Sequence, residues 1–255
     1  MTKNRKRALV AMSGGVDSSL AAYLLLQEGY DVIGVTMRIW STQESGETER
    51  HPHGCCGIAD VEDARRVAHE LDIPFYVVNL EREFDQLVVQ YFCREYLHGR
   101  TPNPCILCNE KLKFGELWEK ARSLDAEYVA TGHYARVEYD QKNRRYMLRR
   151  GVDPQKDQSY VLFSLSQDQL SHARLPLGSL HKDQVRETAR RLGFRVSEKP
   201  DSQEICFVTG GDYRPLIEKR LGERKGSGLI VDKSGRVLGP HKGIASFTIG
   251  QRRGL

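Results

Sequence analysis

Two spacings of apolar residues alternate along this chain. Short unbroken runs, the mark of strands buried on both faces, are separated by stretches in which apolar residues recur every three or four positions, the mark of a helix with one buried face. Ala8-Leu9-Val10-Ala11-Met12 is the first run, and Leu20 to Gln27 is the first helical stretch. Asp31 to Met37 reads as a second strand, followed by a polar surface loop from Ser41 to Gly54. Ile58, Val61, Ala64, Ala68 and Leu71 mark a helix packed by one face, and Phe75 to Leu80 a third strand. Phe84, Leu87, Val88, Tyr91 and Phe92 line another helix face. The prolines of Thr101-Pro102-Asn103-Pro104 break the chain, and a helix is predicted from about Phe114 to Ser123. Glu127 to Gly132 is a fourth strand. This β-α-β-α order predicts an α/β fold, a parallel sheet with helices on both faces, whose ligands bind at the carboxyl ends of the strands.

After residue 133 the pattern changes. Ala135 to Tyr139 and Arg145 to Arg149 alternate like a hairpin around Asp140 to Asn143, and Lys182 to Leu192 is a basic amphipathic helix. From about Gly210 the chain turns Gly-rich, with short strands at Gly228 to Val231 and at Val237-Leu238. The expected division is a catalytic domain over residues 1–209 and a small, incomplete β domain over 210–255.

At 255 residues the chain suits one large domain and a smaller one. No apolar run approaches the ~20 residues of a membrane span. The basic start, Met1 to Arg7, lacks the apolar stretch of a secretory signal. A cytoplasmic protein that does not enter membranes is expected. The net charge of +5 permits RNA binding without requiring it. Six cysteines in such a compartment point to catalysis, metal binding or burial before disulfides.

The chemistry begins where the first strand meets the first helix, at Ala11-Met12-Ser13-Gly14-Gly15-Val16-Asp17-Ser18. A glycine-rich turn there aims backbone N–H groups and a positive helix end at one point, which suits a phosphate. Gly14 and Gly15 allow close approach, and Ser13 and Ser18 add hydroxyls. Asp17 repels an anion unless it holds a bridging Mg²⁺. Thr36-Met37 and Gly132-His133 end strands on the same side, so Met37 and Gly132 are expected at this site. The loop lacks the Gly-Lys-Ser/Thr ending of the Walker type and resembles the PP-loop of the ATP pyrophosphatases. That resemblance implies ATP cleaved between the α and β phosphates and adenylation of a substrate oxygen.

Cys105-Ile106-Leu107-Cys108 follows the Pro-Asn-Pro break, beside Lys111 and Lys113, and cationic surroundings lower a thiol pKa. Half a zinc site or two buried thiols are the alternatives. Cys206 lies in the apolar run Ile205-Cys206-Phe207. Cys55 and Cys56 are read as packing or loop residues and Cys93 as structural.

Taken together, the motifs resemble the tRNA 2-thiouridylases of the MnmA/TrmU family. Carrying the likeness are the Gly-rich loop, Gly99 to Asn109, Ala130-Thr131-Gly132-His133-Tyr134, Lys156-Asp157-Gln158-Ser159-Tyr160, Ile205-Cys206-Phe207 and Gly250 to Leu255. The resemblance implies an adenine nucleotide alpha-hydrolase-like fold and ATP-dependent 2-thiolation of the wobble uridine, U34. In that reading Cys206 carries a persulfide, Cys108 is the partner nucleophile, and Asn103, Pro104 and Cys105 lie against the target base. His133, Lys156, Asp157 and Gln158 would contact tRNA, of the Lys, Glu or Gln isoacceptors. The implied sulfur donor is a protein of the cysteine desulfurase or relay type. Relatives continue into a C-terminal β-barrel that grips the tRNA, and this chain lacks it. Several relatives carry Asp at the position of Cys105. A Cys there makes Cys105, Cys108 and Cys206 candidate ligands of a [4Fe–4S] cluster.

His133 has a second reading as a hydrogen-bonded structural residue. Arg144-Arg145 and Arg149-Arg150, with Tyr146 between them, suit RNA phosphates and a stacked base, or simply a solvated hairpin. The rival functions are a PP-loop ligase or amidotransferase acting on a small molecule, and an inactive ATP- and tRNA-binding module.

Overall fold

The computed structural model describes residues 5–40, 57–201, 204–221, 226–241 and 243–253. The polar loop from Ser41 to Gly54 and the pair Cys55-Cys56 lie outside them, as do Ser202, Gln203, Gly254 and Leu255.

Strand β1 (Arg7–Ala11) is the centre of a five-stranded parallel sheet. On one side it pairs with β2 (Asp31–Arg38), which pairs with β3 (Phe75–Asn79); on the other it pairs with β4 (Tyr128–Ala130), which pairs with β7 (Ala173–Arg174). The order is β3-β2-β1-β4-β7. Because the chain leaves β1 to one side first and returns later to the other, a crevice opens between the carboxyl ends of β1 and β4.

Alternation along β1 assigns the two faces. Ala8, Val10 and Met12 point to one core, packed under α1 (Val16–Gln27), α2 (Ile58–Glu70) and α8 (Lys182–Arg191). Leu9 points to the opposite core, closed by Phe114, Leu117 and Ala121. All of these side chains are essentially buried, each large one contributing about 1.5–3 kcal/mol. A third cluster lies beyond the carboxyl ends of β2 and β3, where Ile39 and Leu80 join Phe84, Val88, Phe92, Phe207 and Ile217.

Three sequence expectations shift. Pro104, expected as part of a break in the chain, starts a helix. It occupies the first position of α5 (Pro104–Leu107), where its missing N–H costs nothing. Helix runs on through a π-helical stretch, Cys108–Glu116, into α6 (Leu117–Ser123), so it begins before the predicted Phe114. Second, α3 (Glu81–Phe84) meets α4 (Gln90–Leu97) through another π turn, Asp85–Val89. The widened turn brings Val89 inward and leaves the predicted face residue Leu87 partly exposed. Third, Ile58 is 85% exposed, so α2 packs through Ala64, Val67 and Ala68 instead.

The predicted hairpin is present as β5 (Ala135–Asp140) and β6 (Arg145–Arg150). After α7 (Gln167–His172) and the short β7 comes α8, then α9 (Arg214–Leu221). The antiparallel pair β8 (Gly228–Val231) and β9 (Val237–His241) follows, and then a short turn of helix at Ile244–Ser246. The chain after residue 211 is tied to α4 and the stretch behind it: Tyr213 stacks on Tyr96 at 4.0 Å, and the Ile249 N–H donates to Thr101 Oγ1 at 2.9 Å.

Candidate active site

The phosphate loop is built by internal hydrogen bonds. Ser18 Oγ accepts from the Ser13 N–H at 3.1 Å and donates to the Gly15 carbonyl at 3.2 Å; Ser19 Oγ donates to the same carbonyl at 2.9 Å. Thr36 Oγ1 donates to the Met12 carbonyl at 2.7 Å, fixing the loop to β2. The two glycines differ. Gly14 has φ +69°, and a Cβ there would run into the Asp60 backbone of α2, so this glycine serves close packing. A Cβ on Gly15 would meet nothing nearer than Ser13 Oγ at 3.6 Å. Gly15 is therefore the open side of the turn. It is also the N-cap of α1 and has no side-chain cap, which leaves the first-turn N–H groups for an external acceptor. Met12 and Val16 are buried in the core under this turn, while Ala11 and Met37 are half-buried and pack with the opposite core, Met37 also against the third cluster. Gly132 ends β4 against it: a Cβ would lie 2.7 Å from the Asp17 carbonyl carbon and the Ser18 nitrogen.

Asp17 is not bare. Its carboxylate accepts from Lys182 Nζ at 2.8 and 2.7 Å and from the Tyr134 hydroxyl at 2.7 Å. Burial and the adjacent Asp17 charge push the Tyr134 phenol far above its ordinary pKa, so it is a permanent donor. Lys182 is nearly buried and also meets Asp201 at 2.7 Å. Asp201 in turn accepts from Lys156 at 2.7 Å and Arg186 at 3.1 Å. Burial opposes its charge, but Lys156 and Lys182 prevail and hold its pKa below the usual carboxylate range. A second ammonium, Lys199, donates to the Gly14 carbonyl at 3.0 Å, Asp60 at 2.6 Å and Asp63 at 2.7 Å.

The third cluster carries two of the expected site cysteines. Asn103 Oδ1 accepts from the Cys105 N–H at 3.0 Å, capping α5. Cys105 is exposed and Cys108 half-buried. The π stretch that Cys108 begins is supported by Gln169, whose Nε2 donates to the carbonyls of Glu110 at 2.8 Å and Phe114 at 3.0 Å. Cys206 is also half-buried, and both it and Cys108 pack against the same cluster of Phe84, Phe92 and Phe207. Cys93 is different: burial pushes its thiol up to about 11, an inert structural cysteine.

The expected RNA contacts divide. Lys156 projects to Asp201. Asp157 accepts from the Gly151 N–H and the Ser159 hydroxyl, and Gln158 Oε1 accepts from the Tyr134 N–H at 3.0 Å, so both brace the turn that carries Lys156. His133 is buried and bonded through Nδ1 to Thr131 Oγ1 at 2.6 Å. Burial, with Lys113 nearby, holds it far below its usual pKa. It is a neutral imidazole and offers no positive charge to a phosphate. In the hairpin, Arg136 and Arg149 are paired with Glu138.

Among the described residues no group of three His, Cys, Asp or Glu is placed to hold a metal ion. Cys105, Cys108 and Cys206 do not form the ligand set of an iron–sulfur cluster in this arrangement. Nor is any described helix long and apolar enough to cross a membrane.

Lys182, Lys199 and Asp201 were not singled out from the sequence. One signal was available: Lys182 occupies the first turn of α8, where the helix dipole disfavours a cation. A lysine there asks for a nearby carboxylate.

The family described as "tRNA methyl transferase HUP domain" matches residues 6–210, and that described as "tRNA methyl transferase PRC-barrel domain" matches residues 214–255. The chain is similar to the tRNA-specific 2-thiouridylases MnmA of three bacteria. Identity is 52% over 250 residues with that of Clostridioides difficile, covering 98% of this chain and 68% of the relative. It is 54% over 258 residues with that of Geotalea uraniireducens, covering 100% and 68%. With that of Carboxydothermus hydrogenoformans it is 55% over 251 residues, covering 98% and 68%. Among solved structures, a 4-thiouridine synthetase–RNA complex with bound ATP superimposes with TM-score 0.49 at 17% identity, over 84% of this chain and 50% of that one. An NMN synthetase from Francisella tularensis gives 0.47 at 18%, over 85% and 77%.

Proposed function

The chain belongs to the family of tRNA-specific 2-thiouridylases, and from that membership we infer how its site works. ATP binds at the loop from Ala11 to Ser18. The C2 oxygen of the wobble uridine attacks the α-phosphorus, and pyrophosphate leaves. A persulfide on Cys206 then attacks C2 through its terminal sulfur, and AMP leaves with the original oxygen. The Cys108 thiolate attacks Cys206 Sγ, breaking the bond to the transferred sulfur. This step frees 2-thiouridine and forms a Cys108–Cys206 disulfide, which an external dithiol reduces before the next turnover.

The observation that supports this reading is that Cys108 and Cys206, 98 residues apart in the chain, both pack against one apolar cluster. The two family descriptions speak of methyl transfer; the relatives' 2-thiouridylase names and two cysteines on one apolar cluster suit sulfur transfer instead, since methylation has no use for such a pair. The same apolar packing keeps water from the persulfide.

Mg²⁺ enters with ATP as part of the substrate. A single carboxylate with phosphate oxygens is an ordinary set for that ion, so Asp17 would share it once its ammonium partner yields. No step is assigned to an iron–sulfur cluster, since the cysteines do not fit one. In this reading the substrates would be tRNAs of the Lys, Glu and Gln type, the sulfur would come from a protein of the cysteine desulfurase or relay type, and the reaction would be cytoplasmic. The direct test is tRNA-dependent AMP release accompanied by 2-thiouridine in the digested tRNA. AMP release that requires a small-molecule amine or ammonia instead of tRNA would favour a ligase.

A further inference from the structure

Helix α7 carries two glutamines whose side chains serve different partners. Gln167 Oε1 accepts from the Tyr146 N–H at 2.8 Å and its Nε2 donates to the Tyr146 carbonyl at 3.0 Å, which fastens α7 to β6. Gln169 closes a capping box at the start of the helix. Its Oε1 accepts from the Ser166 N–H at 3.0 Å, and its own N–H donates to Ser166 Oγ at 3.2 Å. Glutamate serves that cap as well as glutamine, since only the side-chain oxygen is used. The amide nitrogen is the difference. It donates to the carbonyls of Glu110 at 2.8 Å and Phe114 at 3.0 Å, both in the π-helical stretch Cys108–Glu116.

π-helical stretches are rare, and most are a single turn long. This one runs for nine residues. Its later part is fixed by burial of Leu112, Phe114 and, just beyond it, Leu117. Gly115 lies against the same Glu110 carbonyl that Gln169 holds; a Cβ there would come within 3.2 Å of the oxygen. The stretch begins at Cys108. Reversion by one residue to the α register would turn that end by about 100° and shift it by roughly 1.5 Å along the axis. The thiol would leave the cluster of Phe84, Phe92 and Phe207 against which Cys206 also packs.

We propose that Gln169 is a positioning residue for sulfur transfer: its amide holds the π register, and with it the angle at which Cys108 is presented to Cys206. The inference rests on the thiouridylase reading, in which the Cys108 thiolate attacks Cys206 Sγ. Gln169 acts through the backbone of the stretch and not on a reacting atom. It has no bond to the phosphate loop, so adenylation does not depend on it.

The experiment compares two half-reactions of the full chain, given ATP, Mg²⁺, unmodified tRNA and a persulfide donor: pyrophosphate release, and 2-thiouridine in the digested tRNA. Gln169→Glu keeps the cap and loses both donors. Its pyrophosphate release should match the wild type, while the rate of 2-thiouridine formation falls about 100-fold, the cost of misplacing a reacting group by about 1 Å. Gln167→Met gives up two hydrogen bonds of the same helix and should leave both rates at wild-type values. A Gln169→Glu protein that thiolates at the wild-type rate overturns the proposal. So does a parallel fall of both rates, or an equal loss of thiolation in Gln167→Met, since either marks a general structural role. A readout without turnover is the rate at which diamide oxidises Cys108 and Cys206 to a disulfide, followed by peptide mass spectrometry. It should be severalfold slower in Gln169→Glu than in Gln167→Met, and equal rates overturn the proposal. Should Gln169→Glu fail to fold by circular dichroism, Gln169→Met replaces it with the same expected and overturning results. The thiouridylase reading fails separately, if the wild type itself forms no 2-thiouridine.

Discussion

Lys182 grips both carboxylate oxygens of Asp17, at 2.8 and 2.7 Å, from a position 165 residues further along the chain. The pair joins the first turns of α1 and α8 directly behind the phosphate loop. It makes the loop's one acidic residue a structural charge before any ligand arrives.

Lys182→Met should therefore destabilise the fold as well as impair ATP use. Removing one member of a largely buried ion pair costs up to about 3–5 kcal/mol; with Asp17 about a third exposed, about 2–3 kcal/mol is expected after discounting for solvent. Urea unfolding checks this. Asp17→Asn combined with Lys182→Met should recover part of the loss, because no charge is left unpaired.

The glycines of the loop should respond oppositely. Gly14→Ala strains a left-handed residue and collides with the Asp60 backbone, so the melting temperature should fall by the equivalent of about 1–3 kcal/mol. Gly15→Ala has room for its methyl. Its melting temperature should stay near that of the wild type while ATP affinity drops, as measured by titration calorimetry. Equal ATP affinity in Gly15→Ala would show that the nucleotide does not approach that face.

His133 gives a pH signature. Its pKa in the folded chain lies well below the ordinary value of about 6.5 because burial disfavours the charged ring. The unfolded chain then binds the proton first as the pH falls. Stability is fully present above about pH 6.5 and is lost below it, by at most about 1.4 kcal/mol per pH unit for one proton. Urea midpoints between pH 7.5 and 5.5 should show this slope, and His133→Gln should flatten it. An unchanged slope in the variant would assign the effect to another group.

Much of the α/β sheet region was legible in the sequence, because its signals are local. The run Ala8 to Met12, the glycine pair and the helix behind them specify strand, turn and helix N-terminus within a few residues. The hairpin from Ala135 to Arg150 follows from alternation. What was not legible depends on distant partners. Strand β7 is two residues long and exists only by pairing with β4. The π stretch after Cys108 needs Gln169 to satisfy its carbonyls, and no pattern near Cys108 announces that. Proline as helix starter at Pro104 was readable from Asn103 as its cap, but the second proline two residues earlier suggested a plain break. Asp157 and Gln158 belong to a matching motif, and only the structure shows them bracing the turn behind Lys156.

The cysteines carry the central claim, and nucleoside mass spectrometry of tRNA tests it most directly. The full chain would be incubated with ATP, Mg²⁺, unmodified tRNA and a persulfide donor, and the yield of 2-thiouridine measured. Wild type and Cys93→Ser should form it, since the Cys93 thiol is buried and inert. Cys108→Ser and Cys206→Ser should form none, yet both should still release pyrophosphate, because the phosphate loop is intact. Undiminished 2-thiouridine from either dead-site variant would contradict the account.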